Sequence, residues 1–237
     1  MALYEGLESY FKMGEPSGTR EDSHGGFSLV EDGNPLPSAP GKFGDGALFQ
    51  LASGTALKEP TGFIGNPSGS FTISVWLHSD DLYLSSQYIF ACYNQLNSRG
   101  VWMSTIYSTG LGKRFFYYGG NLISASNWSI VEPREYSQKH IVASFDTVTK
   151  KGSAWHNGVK VLDNFDLNFD FANDSMYIGS AFGTSFKYDG VIDEFAMWNR
   201  VLTDNEASQL YNGGAGLQYE KVANNKPIFK ITNRGIV

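Results

Sequence analysis

Short segments in which apolar and polar side chains alternate recur along most of this chain, separated by Gly, Asn, Pro or Ser. A side-chain period of two belongs to a strand with one face against a core. The cleanest example is "FTISVWLHSD", which puts Phe71, Ile73, Val75 and Leu77 on one face and Thr72, Ser74, Trp76 and His78 on the other. It reads as a half-buried strand. "EGLESYFKM" before it, and "QYIFACY", "GVWMSTIY", "KRFFYYGG", "KHIVASFD", "GSAWHNGVKVL", "SMYIGSAF" and "GVIDEFAMW" after it, follow at the spacing of an antiparallel sandwich. Asn157-Gly158 lies between two of these runs, and both residues tolerate the positive φ of a type I′ hairpin turn.

The composition agrees. In 237 residues, 15% are aromatic, 18% are charged and 27 are glycine, which suits a turn-rich all-β sandwich or barrel of one domain. One helix stands out, in "LTDNEASQLYNGG": Thr203 and Glu206 form a capping box, Leu202 can staple onto Ala207, and Gly213 with Gly214 offers a left-handed stop. Beyond it, "LQYEKVANNKPIFKITNRGIV" has little periodicity outside "PIFKI" and reads either as an extension that packs on a neighbour or as an edge strand.

Several functions fall away on charge and motif. The net charge is -6 and Lys and Arg are scattered, so no basic patch awaits a nucleic acid. Cys92 is the single cysteine, so no intrachain disulfide forms. No apolar run reaches membrane-spanning length, and "MALYEGLESYFKM" lacks the parts of a signal peptide, so a protein made without classical export is expected. His24, His78, His140 and His156 have no metal-ligand spacing, no nucleophile triad is visible, and "GKFGDG" lacks the strand-to-helix setting of a phosphate loop.

Five pieces in order, "GLESYFKM…SGTREDSHGG", "APGKFGDGALFQ", "FTISVWLHSDD", "KHIVASFDTVTKKGSAWHNGVKV" and "MYIGSAFGTSFKYDGVIDEFAMWNRVLTDNEASQLYNGG", resemble the concanavalin A-like lectin/glucanase superfamily in its laminin-G-like branch. The resemblance implies a jelly-roll β-sandwich of two antiparallel sheets, one concave, with one short C-terminal helix. It places that domain at residues 1–217 and leaves 218–237 as a C-terminal extension and candidate assembly contact. The opening segment looks especially like the lectin-like domains of tailed-phage virion proteins. That likeness implies a structural protein of a virion, with other virion proteins or copies of itself as partners and a cell-surface polysaccharide as ligand.

In the sugar-cleaving members of that superfamily, two carboxylates flank an aspartate on one strand, and retaining cleavage needs the pair about 5 Å apart. Here Val191 lies two before Asp193, and Phe195, Ala196 and Met197 follow Glu194, so a non-enzymatic member is expected. Strict alternation would put Asp193 on one face with Val191, Phe195 and Met197, and Glu194 on the other. A buried Asp193 must then be satisfied by backbone N–H groups or a salt bridge, or by a structural Ca²⁺, as in relatives where the first long loop would bring Asp22 towards it. For carbohydrate, exposed rings that stack on a sugar face are the signal, and the candidates are Trp102, Tyr107, Tyr117, Tyr118, Trp128 and Trp155. Trp128 leads because it sits among Ser and Asn, outside any clean alternation, while Trp76 and Trp198 are expected in the core.

Overall fold

A computed structural model of the chain describes residues 2–61, 69–78, 87–94, 99–108, 112–121, 128–132, 138–167, 175–181, 186–222 and 226–230. In chain order the strands are β1 (Leu7–Phe11), β2 (Arg20–Glu21), β3 (Ser28–Asp32), β4 (Ser38–Pro40), β5 (Asp45–Phe49), β6 (Ala56–Lys58), β7 (Phe71–His78), β8 (Gln87–Asn94) and β9 (Arg99–Ser108). They continue with β10 (Gly112–Asn121), β11 (Trp128–Glu132), β12 (Lys139–Asp146), β13 (Lys151–His156), β14 (Val159–Asp166), β15 (Ser175–Ile178), β16 (Gly190–Trp198), β17 (Gln218–Val222) and β18 (Lys226–Lys230). One α-helix, α1 (Asp204–Tyr211), stands between β16 and β17.

The first sheet runs β14-β13-β12-β7-β16-β5-β4, with β1 added onto β16, and the second runs β11-β10-β9-β8-β15-β6-β3-β2. Pairing is antiparallel in both. The period-two pattern fixes the main core: Phe71, Ile73, Val75 and Leu77 of β7 meet Ile89, Val101 and Met103 of the second sheet. Two-faced burial was not legible in β7, however. Thr72, Ser74 and Trp76, on its other face, are also buried, because the outside of the first sheet carries a second apolar cluster. There Tyr10, Val142, Trp155, Ala196 and Trp198 lie under Leu202, Ala207 and Leu210 of the helical segment and Tyr219 of β17. Trp76 and Trp198 are buried as expected, but on this outer face.

Local signals behave as their chemistry requires. Asn157 and Gly158 turn with φ of 50° and 75° between β13 and β14. Thr203 and Glu206 close the capping box of α1, and Arg200 clamps Glu206 at 2.6 Å. The helix stops one residue before the expected glycines, at Asn212, whose φ is 48°; a short polar side chain tolerates the left-handed region. Among the described residues, the segment after the helix adds no strand to either main sheet. Strands β17 and β18 pair with each other, and the hairpin folds back so that Tyr219 is buried and Phe229 packs against Trp198.

Candidate functional site

The acids of "GVIDEFAMW" occupy the centre of the first sheet, and a bulge decides where they point. Asp193 pairs with Trp76 and Ala196 with Ser74, so Glu194 and Phe195 together oppose Val75. Glu194 takes φ of 52°, a left-handed conformation that a bulge of this kind normally assigns to glycine. The extra residue corrects the expected alternation. Ile192, Phe195 and Met197 enter the inter-sheet core, while Val191, Asp193 and Glu194 all lie on the outer side beside Trp76.

Asp193 is buried among backbone amides. Its Oδ2 accepts from Lys42 N at 2.6 Å and Phe43 N at 3.1 Å, and its Oδ1 from Glu194 N at 2.9 Å. The turn "GKFG" closes through Gly41 N to Gly44 O at 2.8 Å, and a Cβ on Gly41 would stand 2.5 Å from Asp193 Oδ2. Only glycine permits that approach. Lys42 then lays its Nζ 4.4 Å from the Trp76 ring and donates it to Gly214 O, tying the turn to the end of α1. Charge-assisted bonds contribute about 1.5–3 kcal/mol each, enough to offset burial of one carboxylate.

Asp22 builds a niche of the same type in the first long loop. Its oxygens accept from Tyr10 N and His24 N at 2.8 Å, Gly25 N at 2.9 Å and Phe27 N at 3.3 Å. Asp22 and Asp193 therefore share none of these donors. Both carboxylates are met by the positive ends of N–H dipoles, which satisfy their charge. Among the described residues, no three His, Cys, Asp or Glu side chains are grouped to hold a metal.

Glu194 has neutral partners instead. The Tyr10 hydroxyl donates to its Oε2 and Gln218 Nε2 donates to its Oε1 at 3.1 Å. Burial, then the neighbouring Asp193, push its carboxyl up to about 8. Across a cavity of about 10 Å³, the His140 ring packs tilted against Trp76 at 4.9 Å and bonds Ser74 through Nε2 at 2.8 Å, and burial holds its imidazole down at about 3. A roomier cavity of about 90 Å³, near Ser144, Asp146, Lys151 and Ser153, has its polar groups spent on Thr72, Thr149, Asp166 and Asp163. On this outer face of β16, α1 and the β17–β18 hairpin form the cover.

The ring candidates separate. Trp102 is 3% exposed, packed with Tyr88, Ala91 and Ala181, and Trp155 is 2% exposed, donating Nε1 to Asp204 at 2.9 Å under α1. Neither offers a sugar an open face, which corrects that expectation. Tyr107, Tyr117, Tyr118 and Trp128 are described by backbone alone, and their side chains lie outside the described residues. Trp128 does not sit in a loop: it opens β11, and the register sets it directly opposite Tyr117, with Tyr118 opposite Trp102 one strand further in. Tyr107 pairs with Lys113 at the other end of β10.

Residues 51–208 match the family described as the concanavalin A-like lectin/glucanases superfamily. No curated protein sequence matches the chain. Among solved structures, domain 4 of AbnA, a GH43 extracellular arabinanase from Geobacillus stearothermophilus, in complex with arabinotriose, aligns at 20% identity over 85% of this chain and 96% of that one, with a TM-score of 0.66. The binding domain of botulinum neurotoxin DC in complex with rat synaptotagmin II aligns at 14% identity over 89% of this chain and 52% of that one, with a TM-score of 0.67. This chain thus spans about half of the neurotoxin fragment. Trypanosoma rangeli sialidase aligns at 16% identity over 87% of this chain and 32% of that one, with a TM-score of 0.61.

Proposed function

This chain belongs to the concanavalin A-like lectin/glucanases superfamily, and from that premise we propose that it is a lectin-like binding protein that takes carbohydrate at the β9–β11 end of its second sheet. The observation that carries this reading is the register of the edge strand, which makes Trp128 and Tyr117 cross-strand partners. Two aromatic residues at adjoining positions are the elements of a platform on which a sugar ring stacks. The arabinanase domain solved with arabinotriose matches this chain over nearly its whole length and supports a saccharide as ligand.

The test is retention of the pure chain on a panel of arabino-oligosaccharides, host polysaccharides and whole cells. A retaining glycan is then titrated against Trp128→Ala and Tyr117→Ala. Each substitution weakens binding roughly tenfold, about 1.4 kcal/mol. A panel that retains nothing sinks the reading, and unchanged affinity in both variants moves the site elsewhere.

The finer part of the proposal is a place in a phage particle, supported by the likeness of the opening segment to virion lectin-like domains. Mass spectrometry of purified particles tests it, as absence of the chain from them overturns it. A purely structural assembly subunit is the second reading. It is favoured by the β17–β18 hairpin, which among the described residues forms a two-stranded sheet apart from the two large ones, a unit another chain's strand could extend. If light scattering finds a monomer, this second reading fails.

A further inference from the structure

Among the described residues, the β17–β18 hairpin makes no ladder pairing with either large sheet. What holds it is a small contact set. The Tyr219 ring lies 5.1 Å from Tyr10, Phe229 lies 6.1 Å from Tyr10 and 6.3 Å from Trp198, and the Tyr219 hydroxyl meets His24 Nδ1 at 2.7 Å. At the centre, Gln218 reaches through to the Glu194 carboxyl, which also receives the Tyr10 hydroxyl. Glu194, on the bulged strand beneath them, is thus bonded at once to β1 and to the hairpin.

We infer that the hairpin is an acid-latched strap: a protonated Glu194 carboxyl, bridging Tyr10 and Gln218, holds it shut, and loss of that proton to solvent favours its release. A carboxyl buried between two neutral side chains, next on the chain to a second carboxyl, has no cation among its hydrogen-bond partners to stabilise a negative charge. Once the hairpin lifts, water solvates that charge.

The groups facing it from each packed element do not reverse this. Asp193, next to it on its own strand, opposes ionisation; the bonds donated by Tyr10 and Gln218 and, less strongly, Lys12 beyond β1 favour it, each with a smaller pull than burial or Asp193. From β17 come Gln218 and Tyr219, with Asp22 and His24 behind Tyr219. On the far side of the cavity, His140 is neutral beside Ser74, and Lys42 is turned onto Trp76 and Gly214.

The shut state keeps the Glu194 proton up to about pH 8, whereas a freed glutamate loses it near 4.5. The open state therefore binds fewer protons throughout that window, so the opening constant rises roughly tenfold per pH unit across it and levels off above. Opening exposes the rings of Tyr10 and Trp198 on the outside of the first sheet.

Hydrogen exchange of the full chain between pH 5 and 8, expressed as protection against the unfolded chain at each pH, tests the strap. Gln218–Val222 and Lys226–Lys230 are expected to lose about tenfold in protection per unit while β7 and β12 keep theirs. Glu194→Gln, which retains bonds to Tyr10 and Gln218 without a titrating proton, is expected to be flat. A wild-type hairpin whose protection ignores pH overturns the inference. So does an equal slope in Glu194→Gln, or loss of protection in hairpin and core together.

Discussion

Asp193 and Glu194 are neighbours on one strand, yet their niches are opposite in construction. Around Asp193 the donors are backbone amides of a turn that glycine allows to close in, fixed in direction before any side chain chooses a rotamer. Around Glu194 they are the ends of two side chains, one of them on a hairpin held from outside the sandwich. A buried acid is a permanent fixture when rigid dipoles surround it, and a titratable one when its partners are neutral and movable.

Removing the fixed acid is the harshest way to break this contrast. Asp193→Ala leaves the buried amides of Lys42 and Phe43 without their acceptor and is expected to cost roughly 3–5 kcal/mol, read as a fall in denaturation midpoint. A loss below about 1 kcal/mol would mean the turn is held by something else. Glu194→Gln is expected to act in the other direction, stabilising the fold by roughly 2–4 kcal/mol at pH 8, since it removes a carboxyl the unfolded chain would rather ionise. Equal stability of the two proteins at pH 8 would remove the contrast.

The pH profile sharpens it further. Glu194, raised from 4.5 to about 8, makes stability fall as pH rises through that window, while His140, lowered from 6.5 to about 3, makes stability fall as pH drops through its own. Between 4.5 and 6.5 the two oppose each other, so a plateau is expected there. Losses of about 1.4 kcal/mol per unit follow above it, up to pH 8, and below it, down to pH 3. Glu194→Gln should flatten the alkaline arm alone in urea titrations. Least of all should change with chelator: EDTA or added Ca²⁺ is expected to move the Tm by less than about 1 °C, because amide donors fill both aspartate niches. A larger shift would reopen Asp22 and Asp193 as ligands.

Much of the sandwich was legible because its signals are local. The alternation of β7, the positive-φ pair Asn157-Gly158 and the Thr203–Glu206 box each fix a few residues without help from afar. The bulge was not legible, since glutamate rather than glycine takes the left-handed position and leaves no mark in "VIDEF". Nor was the hairpin, whose burial depends on rings of β1 and β16 far away in sequence. The site is half legible for a similar reason. Trp128 and Tyr117 could be named as rings, but their apposition comes from a register that the intervening sequence does not specify.

The place of β1 against β16 bears on how the molecule is made. Tyr10 leaves the ribosome 184 residues ahead of Glu194, the group its hydroxyl binds, and beyond the single bridge of Phe11 to Asp22 the ladder of Leu7–Phe11 waits for β16. Loop closure over that span is entropically slow. An apolar strand must therefore wait with most of its ladder unmade through nearly the whole of synthesis, and that interval is when this chain is most exposed to association with others of its kind.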